Sequence, residues 1–371
     1  MMMKRNINMK VLWLTNIPSP YRVSFFNELG KYCELTVLFE RRASMERDNS
    51  WGGFEAKNFK AVFLKGIKVK ASNAFCPEVV KYLKKGYDHI VVGYYIMPTG
   101  MTAVLTMKLK GISYEIETDG GFPGSGRGVK ELFKKFLLSN ARLYFSTSEM
   151  NDRYFKTYGV KKKRIRRYPF TSVEAKDVLK ASVDESEKKK LREKLGMVEE
   201  HVVVAVGQFI KRKGFDTLIE AYDGLNENTG VYIVGGKPTE EYIKMAQNRN
   251  RIHFVGFKQK KELAEYYKAA DVFALPTRED VWGLVVNEAM AYGLPVVTTD
   301  RCIAGLEMVK DGVNGKLVNV EDKKELSAAI NECIDNYYKY SEGALKKAGE
   351  YTIEEMAKSH LKIWAGEMAH N

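Results

Sequence analysis

Two acids eight positions apart, Asp280 and Glu288, flank Gly283 in the segment PTREDVWGLVVNEAMAYGLPVVTTD, residues Pro276 to Asp300. A glycine there lets the backbone come close to a ligand. Leu284 and Val285 would then open a helix. Its first N–H groups have no partner within the helix and lie at the positive end of its dipole, where phosphate binds. Carboxylates beside such a cradle can accept hydrogen bonds from sugar hydroxyls. Gly293 stops the helix and Pro295 prevents its continuation. An amphipathic helix between two strands is the plainer reading, and the segment alone leaves both open.

A second loop offers the positive charge this chemistry needs. Val206-Gly207-Gln208-Phe209-Ile210-Lys211-Arg212-Lys213-Gly214 reads as a strand, a glycine, a basic loop, and then a helix from Phe215. Such a loop could add positive charge beside a bound phosphate. An exposed basic loop is the alternative, but two such motifs in one half of the chain are more specific than either alone.

The elements that must position these groups show in the periodicity. Short apolar runs predict strands at 10–15, 35–39, 90–93, 113–117 and 143–146, then at 202–206, 231–234, 252–255, 272–275 and 295–298. Amphipathic stretches such as 215–222, 260–269 and 284–291 lie between them. This alternation predicts an α/β fold with mostly parallel, doubly wound sheets, and the strands outnumber what one sheet would comfortably use. The polar stretch 171–200 reads as the linker. It divides the chain into Rossmann-like domains at 1–172 and 173–352, whose ligands would lie at the C-terminal ends of the strands. A final helix is expected at 353–368, with an apolar stripe through Ile353, Met356, Leu361 and Trp364.

At 371 residues and 45% hydrophobic, the chain can fill two cores, and 29% charged residues exclude a low-complexity chain. The apolar run before Asn16 is too short for a signal-peptide core, and no stretch approaches a spanning helix. Four scattered cysteines without CxxC spacing argue against a zinc site or a disulfide framework. There is no HExxH and no Cys/His cluster, so no metal site is expected. The net charge of +13 is uneven. Residues 1–172 hold 31 Lys and Arg against 14 Asp and Glu, and the remainder 29 against 33. A basic half suggests an anionic partner. The densest run, Lys161 to Arg167, is either a solvated turn or an attachment to anionic lipid.

The segment Glu288-Ala289-Met290-Ala291-Tyr292-Gly293-Leu294-Pro295-Val296 resembles the signature of the retaining, nucleotide-sugar-dependent family 4 glycosyltransferases, glycosyl transferases group 1. That resemblance implies a GT-B architecture, two Rossmann-like domains facing a central cleft, with the final helix packing back on the first. It also implies roles. Asp280, standing where relatives carry Glu, would bind donor-sugar hydroxyls. Glu288 would bind the ribose, and the amides after Gly283, at Leu284 and Val285, the phosphate. Lys213 matches the family lysine that holds the diphosphate. Gln208 stands where an arginine is usual, with Lys211 or Arg212 as the replacement cation. Phe257 would neighbour the base or belong to the core.

The first half also resembles the family. Asn16 to Arg22 follows the first strand without the usual glycine pair, and Arg22 would meet a phosphate or be a surface cation. Asp119, in Glu117-Thr118-Asp119-Gly120-Gly121, would take the place of a histidine that touches the donor sugar. Gly120 and Gly121 begin a glycine-rich run to Gly128 read as an acceptor loop. The expected function is transfer of a hexosyl or N-acetylhexosaminyl group, with retention. The donor would be a uridine or guanosine diphosphate sugar and the acceptor a glycan or polyprenyl-diphosphate-linked glycan, in capsule, exopolysaccharide or O-antigen synthesis. No cofactor and no obligatory metal are expected. The protein would be cytoplasmic, with its basic half on the inner face of the plasma membrane. A nucleotide-sugar epimerase on the same architecture is a rival. A nucleic-acid binder is another, but no RNP, helix-turn-helix or finger signature supports it. A nicotinamide oxidoreductase lacks its GxGxxG after the first strand.

Overall fold

A computed structural model describes residues 9–42, 55–70, 73–124 and 128–368. The chain forms two compact units, residues 1–171 with 353–371, and 172–352. Each has a parallel sheet with helices on both faces, the doubly wound α/β class that the alternating pattern predicts.

In the first unit the described strands are β1 (Lys10–Thr15), β2 (Glu34–Phe39), β3 (Lys60–Phe63), a hairpin of β4 (Ile67–Lys70) and β5 (Asn73–Phe75), β6 (His89–Val92), β7 (Glu115–Glu117), β8 (Tyr144–Ser146) and β9 (Ile165–Arg167). The main sheet has the order β3-β2-β1-β6-β7-β8-β9, with all pairs parallel. Central β1 is KVLWLT, buried along all but its first residue, as a strand covered on both faces must be. Its alternate residues serve two layers. Leu12 and Leu14 join a core with helices α2 (Pro98–Lys110), α3 (Val129–Leu138) and α4 (Glu149–Thr157). Trp13 points the other way. It packs edge-on to Phe25 and Phe26 of α1 (Pro20–Leu29) and to Trp364 of the C-terminal helix Ile353–Met368. That helix is also pinned by Trp364 Nε1, which donates to buried Glu115 at 2.9 Å.

The second unit orders its strands β12-β11-β10-β13-β14-β15. They are β10 (His201–Val206), β11 (Thr229–Val234), β12 (Ile252–Val255), β13 (Val272–Leu275), β14 (Val296–Thr299) and β15 (Gly315–Val318). The helices are α5 (Glu185–Leu195), α6 (Phe215–Ala221), α7 (Glu240–Ala246), α8 (Lys260–Ala269), α9 (Leu284–Ala291), α10 (Ile303–Met308), α11 (Lys323–Asp335) and α12 (Tyr337–Glu350). The polar stretch read as a linker holds α5, capped by Asp184, whose side chain accepts from the Glu187 amide. Lys188 and Arg192, one turn apart, both reach buried Asp271, at 2.6 and 2.7 Å. Its polar residues therefore make an ion-paired helix face within the unit. Chain order reverses between β10 and β13, so the loops after these two strands flank the switch point where doubly wound sheets bind ligands.

Candidate functional site

Both predicted motifs of the second unit follow those two strands. After β10 the chain turns at Gly207, forms a short turn of helix at Lys211–Lys213, and enters α6 through Gly214 in a left-handed conformation, φ 69°. A Cβ at Gly214 would overlap the Pro276 carbonyl oxygen, so this glycine lets the basic loop press against the acidic one. The Arg212 carbonyl seals the contact, accepting from the Arg278 amide and the Thr277 hydroxyl, each at 2.8 Å.

Lys213 Nζ lies 2.6 Å from Asp280 Oδ2, and both side chains are mostly buried. Arg212 Nη1 is 3.5 Å from the same oxygen and donates to the Glu279 carbonyl at 2.6 Å. Arg212 thus stands as a second cation beside the carboxylate. Gln208, at the position usual for arginine, is exposed. The Asp280 backbone is bracketed by Arg301 and Ile303, at 2.9 and 3.2 Å. Gly283 follows with φ 98°, and a Cβ there would press on Cys302 Sγ. Helix α9 then opens at Leu284 with no side-chain cap, leaving its first amides directed at the loop. Trp282, 2% exposed, donates to Asn287 at 2.8 Å and holds this entry in place.

Glu288 lies one turn along α9. Its carboxylate accepts from Ser172 at 2.8 Å and from Tyr267 at 3.3 Å. Burial pushes this carboxyl above the usual range, against the pull of Ser172. Neither hydroxyl partner was legible in the sequence, because no local pattern ties positions 172 and 267 to 288. Phe257 is exposed while Phe254 packs on the core, so Phe257 is free to neighbour a ligand.

In the first unit the structure gathers a second cluster. Arg22 is 3% exposed, which removes the surface-cation reading. Its guanidinium bridges Glu117 at 3.0 Å and Asp119 through a short contact. Asp119 Oδ2 also accepts from Tyr94 at 3.1 Å and from Tyr21 at 3.2 Å. Tyr94 holds a left-handed backbone, φ 51°, unusual for a tyrosine. The Asp119 charge and burial raise the Tyr94 pKa, so this phenol stays a donor. Burial raises the Glu117 pKa in spite of Arg22. His360 of the C-terminal helix places Nε2 3.8 Å from Glu117. Gly120 and Gly121 continue from Asp119, and Gly121 lies against the Tyr154 ring. Of the glycine-rich run, Ser125, Gly126 and Arg127 lie outside the described residues. Among the described residues, no group of three or more His, Cys, Asp or Glu is placed to hold a metal ion. No helix among them is long and apolar enough to cross a membrane.

Known proteins share the sequence pattern of the second unit and the fold of the chain. Residues 187–354, which include both motifs of the second unit, match the family model "Glycosyl transferases group 1". The lipopolysaccharide core biosynthesis glycosyltransferase LpsE of Rhizobium meliloti is 30% identical over 176 residues, 45% of this chain and 50% of the relative. The GDP-mannose-dependent alpha-(1-6)-phosphatidylinositol monomannoside mannosyltransferase of Mycolicibacterium smegmatis is 34% identical over 165 residues, 41% of this chain and 43% of the relative. The chain spans about half the length of the curated relatives it matches. Among solved structures, HepE of Anabaena in complex with UDP aligns with a TM-score of 0.77 at 18% identity, over 96% of this chain and all of that one. The fold is thus the GT-B fold shared with these structures, and residues 187–354 carry the sequence signature of the glycosyl transferases group 1 family.

Proposed function

We propose that the protein transfers a sugar, with retention, from a nucleotide diphosphate donor to a glycan or lipid-linked acceptor in cell-surface polysaccharide synthesis. The observation that carries this reading is the Lys213–Asp280 pair beside the uncapped start of α9, at the strand-order switch of the second unit. In this reading the diphosphate rests on the Leu284 and Val285 amides and is neutralised by Lys213 and Arg212. Its departure places charge where cations and dipoles are already fixed, the condition for electrostatic stabilisation. Asp280 accepts from donor-sugar hydroxyls and gives up part of its bond to Lys213 when phosphate arrives. Glu288 accepts from the ribose hydroxyls, taking the place Ser172 and Tyr267 now hold. Asp119, kept in position by Arg22 and two tyrosine hydroxyls, is the group that faces the transferred sugar. The departing phosphate oxygen helps to take the acceptor proton.

The relatives' names support this reading. One is GDP-mannose-dependent with a phosphatidylinositol-based acceptor, another acts in lipopolysaccharide core synthesis, and a structural neighbour holds UDP. The donor is accordingly a uridine or guanosine diphosphate sugar, of hexosyl or N-acetylhexosaminyl type. A thermal-shift panel of nucleotide diphosphates and their sugars tests it. Selective binding to the folded state raises the midpoint, and Glu288→Ala should abolish the shift. If no nucleotide shifts the wild type, or the variant responds equally, the ribose site lies elsewhere.

A further inference from the structure

The two helical layers of the first unit differ in what they show to solvent. Helix α1 and the C-terminal helix cover one face of the sheet, and neither presents a large exposed apolar side chain among the described residues. The opposite layer is built from the β4–β5 hairpin, α2, α3 and α4. Every large exposed apolar side chain described in the first unit lies on this layer or the loop leading into it, from Ile67 on the hairpin to Phe136 on α3. In the second unit such residues are scattered singly, from Val198 to Tyr338.

The densest part is α3, VKELFKKFLL. Val129, Leu132, Phe133 and Phe136 recur at the spacing of one helix face and are 84, 63, 44 and 52% exposed. The inward side is already satisfied. Leu137 and Leu138 are in the core, and Glu131 pairs with Lys134 at 3.0 Å and with the Tyr158 hydroxyl. Glu131 is the only acid of this helix, so the outward stripe is flanked by cations alone. Lys130 and Lys135 are exposed, and Lys108 of α2 lies over the Phe136 ring at 4.9 Å. Leu109, 88% exposed, is followed by exposed Lys110. On the hairpin, exposed Ile67 and Val69 flank exposed Lys68, and exposed Lys65 lies just before β4.

We infer that this layer docks on an anionic lipid bilayer, with α3 lying in the headgroup plane and its apolar stripe inserted toward the acyl chains. Charge decides the occupant. An apolar stripe edged only by lysines, in the half that holds 31 basic against 14 acidic residues, matches an interface that is apolar below and negative at its surface. The basic run Lys161–Arg167 contributes less. It lies in and beside edge strand β9, Arg167 is tied to Asp152 at 2.8 Å, and no large apolar side chain accompanies it in the exposed set. The inference draws on the proposed lipid-linked acceptor only for its biological use.

Flotation of the full chain with vesicles, without donor or acceptor, tests it and can fail while the transferase reading stands. The wild type should float with vesicles rich in phosphatidylglycerol and at least tenfold less with pure phosphatidylcholine. Leu132→Glu with Phe133→Glu should lose at least tenfold in binding while the thermal midpoint and nucleotide-induced shift stay unchanged. Lys161→Ala, Lys162→Ala and Lys163→Ala together should cost less than that pair. A separate readout is Phe133→Trp, whose emission should shift to the blue with anionic vesicles and be quenched by brominated acyl chains. Equal binding to both vesicle types, retained binding by the Glu variant, or an unshifted tryptophan each overturns the inference. So does sedimentation showing that the wild type self-associates through this face and the Glu variant does not, which would assign it to a second copy.

Discussion

Lys213 and Asp280 hold each other at 2.6 Å across 67 positions, and in the proposed reading the lysine serves the donor phosphate and the acid the sugar hydroxyls. Removing one preorganised donor of this kind costs about 10²–10³ in turnover. Lys213→Ala should therefore lower kcat by about that factor, read by nucleotide diphosphate release at saturating donor. Its thermal midpoint should stay within a few degrees of wild type, because Arg212 remains 3.5 Å from Asp280. A full loss of fold would place the lysine in the scaffold instead. At this scale the motif residues were legible because glycine, acid and cation spacing is local. Arg22 was legible only as a charged residue after the first strand. Its burial between Glu117 and Asp119 depends on where β7 ends in the sheet.

Among the elements, two loops must touch for the site to exist, and Gly214 is where they do. Its φ of 69° suits glycine, and a side chain would meet the Pro276 carbonyl, a backbone atom that cannot rotate away. Gly214→Ala should destabilise by at least about 2 kcal/mol in denaturant titration and weaken nucleotide binding as the loops separate. An unchanged midpoint would show that the loops yield easily. Helices 260–269, 284–291 and 353–368 were legible to the residue, because an amphipathic stripe and a capping signal are properties of the segment itself. The stretch around α5 was not. Lys188 and Arg192 look like solvated charges until Asp271, some eighty residues on, is placed under them. Edge strands β3, β9 and β15 were also missed, since their short, part-polar runs lack the continuous apolar signature of the central strands.

For the molecule as a whole, pH should act through the buried polar groups of the first unit. Burial lowers the His360 pKa from its ordinary 6.5 to about 4, although its bond to the Met356 carbonyl favours the proton. As pH falls below 6.5 the unfolded chain takes up this proton first, so stability drops progressively until about pH 4. The loss from this group is about 3 kcal/mol. Burial opposes ionisation of Glu115, but His89 and Arg142 outweigh it and hold this carboxyl below its usual range, so its contribution is lost only at still lower pH. His360→Phe should flatten the stability profile between pH 6.5 and 4 in denaturant titrations, and an unaltered slope would assign the loss to other groups. The sequence by itself determined the two doubly wound halves and the motifs that follow particular strands, because hydrophobic period, turn glycines and caps act over a few residues. Tertiary structure alone decided which side chains meet: Ser172 with Glu288, His360 with Glu117, and Trp364 with Glu115 across 249 positions. Those meetings follow from strand order and layer packing, which are cooperative properties of the folded chain and leave no mark in any short stretch of it.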